Sequence, residues 1–207
     1  MIVLKLSDTE IWRRFKSGDD EMLSLIFAEN SKKLYLYGLK LTSNQSIIED
    51  SIQDLFCDLV RNRRKLGDTD SISFYLIKSF KRRLQRQLQK EKRYNLEENA
   101  VEYLFEVTYS IEHDIILEEN ANQKIKALYD ALNGLTARQK EAIYLKFTQG
   151  LEYQEISEIL DMNLESCRNL IYRSIKSLKD SLHVRVNKAV FLLFLNKLIV
   201  KSNFKPA

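Results

Sequence analysis

The sequence contains very little proline, glycine, cysteine or histidine, and each scarcity excludes a class of protein. One proline, at position 206, and five glycines occur in 207 residues, so almost nothing forces a helix to break. Two distant cysteines, Cys57 and Cys167, argue against a disulfide framework and favour reduced thiols in a reducing cytosol. The two histidines, His113 and His183, stand alone. No metal-ligand spacing is therefore present, and we expect neither a metal nor a cofactor.

Long apolar segments are also scarce. The longest apolar run near the C-terminal end, residues 189–195, is far shorter than the roughly 20 residues that a membrane span requires. The start of the chain, MIVLKLSDTE, is too short and too soon acidic for a signal peptide. We therefore expect a cytoplasmic protein without stable membrane insertion.

Helical periodicity, in contrast, is abundant. It predicts helices over residues 8–16, 21–41, 46–64 and 73–92, with a loop of turn-forming residues at 66–71. A second helical region is predicted over residues 117–182. The predicted fold class is therefore all-α, with two small helical domains.

Charge is distributed in three blocks. Residues 61–93 carry twelve Lys/Arg and three Asp/Glu, whereas residues 94–120 carry eight Asp/Glu and no Lys/Arg. Residues 163–201 are basic again, with eight Lys/Arg and two Asp/Glu. Two basic blocks separated by an acidic one indicate two polyanion-binding modules and a linker that avoids polyanions. Solvated helix faces are the alternative interpretation.

These patterns divide the chain into four segments. They are a first domain over residues 1–94, an acidic linker over 95–120, a second domain over 121–183 and an apolar tail over 184–207. The aromatic residues of the linker indicate that it docks on another surface. The tail could pack on the second domain, bind a partner or touch a membrane surface.

The second domain carries the pattern of a helix-turn-helix between residues 153 and 179. Thr136 and Gln139 fit a capping box at the start of the preceding helix, and Gly150 fits its end. Asn163 can cap the last helix after a turn at residues 161–163. That helix presents Arg, Asn, Ser and Tyr outward, which suits base edges and phosphates in a major groove. An ordinary three-helix bundle with a polar face is the alternative.

At this point the residues resemble a known family. Residues 135–182, LTARQKEAIYLKFTQGLEYQEISEILDMNLESCRNLIYRSIKSLKDSL, resemble the promoter −35-binding region of bacterial sigma-70-type factors, particularly the extracytoplasmic-function (ECF) group. Residues 48–60, IEDSIQDLFCDLV, resemble the family segment that binds the clamp of RNA polymerase. Residues 73–93, SFYLIKSFKRRLQRQLQKEKR, resemble the helix that meets the −10 element. The resemblance spans residues 8–182 in the order of the family.

The resemblance implies a transcription initiation factor rather than an enzyme. Such a factor binds core RNA polymerase, recognises −35 and −10 promoter elements and helps to open the duplex, without a small-molecule substrate. It also implies an anti-sigma protein as a partner. In this family the linker runs through the polymerase cleft, where eight carboxylates could mimic RNA.

The resemblance also assigns candidate site residues. The candidate −35 contacts are Ser166, Arg168, Asn169, Tyr172, Arg173 and Lys176. The candidate −10 contacts are Lys78, Lys81, Arg82, Arg86 and Lys90. The candidate polymerase contacts are Asp50, Gln53, Asp54 and Phe56. Asp58 is expected to extend the polymerase-binding stripe, Phe56 could equally be a core residue, and the loop at 66–72 matches the family loop that holds a flipped −10 base.

Four departures from the family pattern affect these expectations. Val60 replaces a frequent Trp, and Arg82 replaces a frequent Asn near the −10 contact. Asp161 replaces the usual turn glycine, although Asp tolerates the left-handed conformation. Leu170 replaces a polar residue, so one −35 contact is expected to be lost or moved.

Two other functions remain open from the residues alone. One is a helix-turn-helix transcriptional regulator whose N-terminal half senses a ligand or dimerises. The other is a helical adaptor that does not bind DNA. The polymerase-docking pattern at residues 48–60 argues against the regulator, and the Arg/Asn-rich face of the last helix argues against the adaptor.

Overall fold

The computed structural model describes residues 6–94, 104–106 and 130–182, and these are helical apart from caps, turns and short connections. The chain divides into two compact units, Met1–Glu102 and Tyr103–Ala207. The predicted all-α fold is therefore confirmed for the described residues. The tail and most of the predicted linker lie outside them.

The first unit contains four α-helices in its described part. They are α1 (Asp8–Ser17), α2 (Asp20–Leu41), α3 (Gln45–Asn62) and α4 (Ile72–Tyr94), with a 3-10 turn, Arg63–Lys65, after α3. Each helix begins and ends within two residues of its predicted bounds. The chain leaves α1 through Gly18, whose φ of 108° lies in the left-handed region that favours glycine.

Side chains cap the N-termini of these helices. The Ser7 hydroxyl accepts a hydrogen bond from the amide of Glu10 at 3.3 Å, and Asn44 accepts one from the amide of Ile47 at 3.3 Å. The Ser71 hydroxyl likewise accepts from the amide of Phe74 at 3.4 Å, and the start of α4 receives a further contact from another helix. The Asp8 carboxylate of α1 accepts a hydrogen bond from the amide of Ile72 at 2.8 Å, which satisfies a donor that the helix itself leaves without a partner.

The core of the first unit is aromatic and aliphatic. Its most deeply buried side chains include Trp12, Phe15, Ile26, Leu34, Tyr37, Ile48, Leu76, Phe80 and Leu84. Gly38 allows α2 to approach α3 and α4 closely, because a Cβ atom there would lie 2.8 Å from Ile48 Cγ2 and 3.1 Å from Phe80 Cζ. The three long helices therefore meet at a position where no side chain fits.

The second unit contains α5 (Ala137–Phe147), α6 (Tyr153–Ile159) and α7 (Leu164–Leu182) in its described part. The predicted capping box is confirmed. The Thr136 hydroxyl accepts from the Gln139 amide at 3.3 Å, and the Gln139 side chain accepts from the Thr136 amide at 2.9 Å.

One residue of the predicted linker belongs to the core of the second unit. Phe105 is 2% exposed, and its ring lies 5.6 Å from the ring of Tyr144 on α5. At this position the linker docks on a surface, as its aromatic residues indicated. Residues 95–103 and 107–120 of that segment lie outside the described residues.

No helix in the described ranges is long and apolar enough to cross a membrane. The apolar tail, for which membrane contact was one of three expectations, lies outside those ranges.

Candidate functional site

The turn between α6 and α7 has the geometry that the sequence predicts. Asp161 takes a left-handed conformation with φ of 49°, which an Asp side chain tolerates better than most. The amide of Met162 donates to the carbonyl of Ser157 at 3.0 Å, and the Asn163 side chain accepts from the amide of Ser166 at 2.7 Å. The predicted cap of the last helix is therefore confirmed, and the loss of the usual glycine leaves the turn intact.

Arg138 holds this turn from outside. Its guanidinium extends from α5 and donates to the carbonyl of Leu160 at 2.6 Å, directly before Asp161. That carbonyl lies at the end of α6, where helix carbonyls lack partners within the helix. Arg138 therefore links α5 to the turn that sets the direction of α7. Arg138 belongs to the segment that resembles the family, but the sequence pattern predicts no role for it.

The last helix, α7, separates a buried face from an exposed one. Cys167, Ile171, Ser174 and Leu178 are buried, at the spacing of one helix face. The six residues predicted to contact −35 DNA are all exposed: Ser166, Arg168, Asn169, Tyr172, Arg173 and Lys176. Tyr172 is 67% exposed, unusually high for a large aromatic residue.

The charges on this exposed face are available to a ligand. Among the described residues no carboxylate forms an ion pair with Arg168, Arg173 or Lys176. Guanidinium and amide groups in this arrangement can bind phosphates and base edges. Leu170 is half-buried beside them and offers no polar side-chain group.

A second basic face lies on α4 of the first unit. Arg82, Arg86 and Lys90 are exposed, and the half-buried Lys78 places its ammonium 5.2 Å from the centre of the Phe74 ring. The prediction that Lys81 shares this exposed face is wrong, because Lys81 is 5% exposed.

The burial of Lys81 follows from its register on α4. It lies one turn after Ile77 and one turn before Leu84, next to Phe80, and these three side chains are buried. Residues at this spacing share one helix face. Lys81 therefore occupies a core-facing position.

A groove of about 170 Å³ runs between α3 and α4. Arginines of α4 line it on one side, and side chains from α3 and the loop after it line it on the other. The lining residues include Asn62, Leu66, Tyr75, Arg82, Arg83 and Arg86. Arg83 was not among the predicted DNA contacts, although it stands between two of them in sequence.

The loop that borders this groove is fixed by α1. The indole Nε1 of Trp12 donates to the carbonyl of Gly67 at 2.9 Å, and the ammonium of Lys16 lies 2.6 Å from the carboxylate of Asp68. Two contacts from α1 therefore fix the loop at residues 66–72, which resembles the family loop that holds a flipped base.

The predicted polymerase-binding residues of α3, here called the acidic stripe, are Asp50, Gln53, Asp54 and Asp58, and they have two kinds of surroundings. Asp50, Gln53 and Asp54 are exposed, as predicted. Asp58 instead forms an ion pair with Arg83 of α4, with 2.5 Å between Nη2 and Oδ2. The hydrogen bond from Arg83 lowers the pKa of the Asp58 carboxyl below its ordinary value. Asp58 therefore lies on the α4 side of the stripe, partly exposed and paired with Arg83, and its role in polymerase binding stays a prediction.

Phe56 lies at the edge of the core. It is 8% exposed, whereas its neighbour Phe27 on α2 is 48% exposed. The two rings meet edge to face with 4.9 Å between their centres. Val60, one turn after Phe56, is 43% exposed. The aromatic residue that reaches the surface here is thus Phe27, which carries no signal in the motif.

The described ranges contain no group of three His, Cys, Asp or Glu residues that could hold a metal ion. The described residues therefore offer basic and amide side chains on α4 and α7, carboxylates on α3, and a groove lined by arginines between α3 and α4. These groups suit binding of nucleic acid and of a basic protein surface.

The chain is similar in sequence to known proteins. The family described as "Sigma-70, region 4" matches residues 125–178, which include α5, α6 and most of α7. Over 175 residues the chain is 27% identical to the ECF RNA polymerase sigma factor BldN of Streptomyces coelicolor. That match covers 82% of this chain and 63% of the relative, so the chain spans less than two thirds of its length.

Two solved structures share the fold. The sigma factor RpoE in complex with the anti-sigma factor NepR from Bartonella quintana matches with a TM-score of 0.53 and 20% identity, over 83% of this chain and 99% of RpoE. CnrH in complex with the cytosolic domain of CnrY matches with a TM-score of 0.52 and 12% identity, over 86% of this chain and 99% of CnrH. Together with the region 4 match and the BldN relative, they show that the chain is similar to sigma factors: residues 125–178 match region 4, and the fold is shared with RpoE and CnrH.

Proposed function

We propose that the protein is a transcription initiation factor that binds core RNA polymerase in the bacterial cytoplasm and directs it to −35 and −10 promoter elements. The observation that carries this proposal is the exposed face of α7, where six polar or aromatic residues follow a turn that is fixed by Asn163 and Arg138. A helix held in this way behind a tight turn can enter a major groove and read base edges.

The −35 contacts in this proposal are Ser166, Arg168, Asn169, Tyr172, Arg173 and Lys176. Arginine can bind guanine with two hydrogen bonds, and asparagine can do the same with adenine. Lysine and serine hold phosphates, which adds affinity without sequence preference.

The first unit supplies the −10 and polymerase contacts. In this proposal Lys78, Arg82, Arg86 and Lys90 on α4 hold the phosphates of the −10 strand; Arg82, Arg86 and Lys90 are exposed and Lys78 is half-buried. Lys81 is left out of this set because its side chain is buried. Asp50, Gln53 and Asp54 offer an acidic face to a basic surface of the polymerase. Phe27 extends that face on its apolar side, above Phe56.

An anti-sigma protein completes the proposed set of partners. RpoE, whose fold this chain shares, is bound to the anti-sigma factor NepR in its solved structure. We propose that a protein of this class also binds the present chain.

Runoff transcription with core polymerase from the same source tests the proposed function. Adding the full chain to core polymerase and genomic fragments should give products from specific promoters that core polymerase alone does not give. If no specific product forms, the proposed function is wrong. A matched reaction with an unrelated sigma factor shows that the core enzyme is competent.

Replacing Arg173 with alanine should weaken binding to a −35 duplex by about 1–3 kcal/mol, because a guanidinium that reads a base loses two hydrogen bonds. Arg173→Lys should be almost as weak if the contact is to a base edge, since lysine cannot reproduce the planar fork. Fluorescence anisotropy with a labelled promoter duplex measures the change.

Lys179→Ala is the matched control for Arg173. It removes one positive charge from the end of the same helix and should have a much smaller effect. If Arg173→Ala and Lys179→Ala weaken binding equally, Arg173 contributes only charge and does not read a base.

A further inference from the structure

The acidic stripe of α3 and the groove-lining arginines of α4 are joined by one side chain. Arg83 places Nη2 2.5 Å from Oδ2 of Asp58 and Nη1 3.8 Å from Oδ2 of Asp54. The amide of Gln87 also donates to Asp54 at 3.4 Å. Two carboxylates of the helix assigned to polymerase binding therefore hold a cation of the helix assigned to −10 DNA.

The same arginine lines the groove between the two helices. Arg82, Arg83 and Arg86 all border it, and Asp58 is its acidic lining residue. Among the described residues no carboxylate pairs with Arg82 or Arg86. The groove thus has two arginines available to an anion and a third that is already paired with a carboxylate.

We propose that the ion pair with Asp58 keeps Arg83 from binding nucleic acid. When a basic protein surface binds the carboxylates of α3, it replaces Arg83 as the partner of Asp58. Arg83 can then bind a nucleic-acid phosphate in the groove. This inference rests on the proposed function, because it takes the polymerase as the basic surface and promoter DNA as the phosphate source. It makes polymerase binding and DNA binding favour each other, as linkage between two sites requires.

The energetics allow such an exchange of partners. The side chains of Asp54 and Asp58 are 57% and 41% exposed, so a partner can reach both. Ion pairs with this exposure are weak, whereas arginine binds phosphate strongly through two parallel hydrogen bonds. The hydrogen bond from Arg83 keeps the pKa of Asp58 low, so Asp58 remains charged and a partner, rather than a change toward mildly acidic pH, is the trigger.

A simple structural clamp is the competing explanation, and DNA binding by the full chain separates the two. The probe is a fluorescent single-stranded oligonucleotide of thymidines, titrated with protein at several salt concentrations and followed by anisotropy. Asp58→Asn should raise the affinity about fivefold and steepen the salt dependence of log K by about 0.7, the value for one additional phosphate contact on a single strand. Asp54→Asn should act in the same direction but less strongly.

Two further variants make the test specific. Asp58→Asn in an Arg83→Gln background should give no gain over Arg83→Gln alone. Glu49→Gln removes the same charge from an exposed position of α3 and should leave the salt slope unchanged. Circular dichroism verifies that every variant keeps its helical content, so that loss of folding is not read as loss of binding.

The outcomes separate the inference from the proposed function. Two results would contradict the release of Arg83 while leaving the proposed function intact. In the first, the wild-type chain binds DNA but Asp58→Asn behaves like Glu49→Gln. In the second, Asp58→Asn still raises the affinity in the absence of Arg83. If neither the wild-type chain nor any variant binds the oligonucleotide at low salt, both the inference and DNA binding by the first unit are wrong.

Discussion

Replacing Trp12 with alanine is expected to lower the free energy of unfolding of the first unit by about 3–5 kcal/mol, the usual range for removal of a large buried aromatic side chain. Trp12 is 1% exposed, and its ring lies 4.9 Å from Tyr75 and 5.5 Å from Phe15. Loss of the indole would open a cavity between α1 and α4. Urea unfolding followed by far-ultraviolet circular dichroism measures the change.

Trp12→Phe separates the cavity from the hydrogen bond. Phenylalanine retains most of the apolar packing but cannot donate to Gly67, so the loss of stability should be smaller, about 1–2 kcal/mol. Hydrogen exchange at residues 66–71 should accelerate in both variants, because the loop loses its anchor. If Trp12→Phe leaves exchange in the loop unchanged, the indole does not fix the loop that borders the groove.

Replacing Lys40 with methionine is expected to stabilise the first unit by about 1–3 kcal/mol at pH 7, at 1.36 kcal/mol per unit of pKa shift. Lys40 is 5% exposed, and burial lowers its pKa from 10.5 to about 8. Below pH 8 the lysine is charged in both states, so the folded state carries the desolvation cost that lowers this pKa. Methionine keeps the length of the side chain without that charge.

The pH dependence of the free energy of unfolding shows whether the buried charge of Lys40 destabilises the first unit. As the pH rises from 8 to 10, the folded state releases the Lys40 proton while the unfolded state keeps it, so the wild-type protein should become more stable. Above pH 10 Tyr75 of the same unit acts in the opposite direction, because burial raises the pKa of its phenol. The rise should therefore be measured between pH 8 and 10 and should be absent in Lys40→Met.

The single tryptophan makes this measurement specific to one unit. Trp12 lies in the first unit, so its fluorescence follows the unfolding of the helices that surround Lys40. Lys33→Met, at an exposed position of the same helix, is the control and should change stability by less than about 0.5 kcal/mol. Equal stability of Lys40→Met and the wild-type protein from pH 7 to 10 would show that the burial of this lysine has no cost.

The features that the sequence predicts correctly are those that depend on neighbouring residues. The cap at Asn163 and the capping box at Thr136 each join residues three apart, and such pairs follow from helix geometry alone. The left-handed Asp161 is also local. The exposed face of α7 could be predicted because helical periodicity and residue type agree along it.

The features that could not be predicted from the sequence depend on contacts between residues far apart along the chain. Trp12 and Gly67 are 55 residues apart, and Arg83 and Asp58 are 25 apart. No periodicity connects such positions. Lys81 was misplaced for a different reason, because its charge suggested an exposed position while its register between Ile77 and Leu84 places it toward the core. At that position the helical register, rather than the residue type, decides burial.

The cap that Asp8 gives to α4 has a consequence for the order in which the first unit assembles. The carboxylate and the amide of Ile72 are 64 residues apart, so α4 gains this support only after the chain has closed a long loop, which is slow compared with helix formation. During synthesis the capping residue leaves the ribosome well before the helix that it caps. The basic helix thus emerges toward an α1 that has been synthesised before it, and α1 adds a hydrogen-bond acceptor to its first turn.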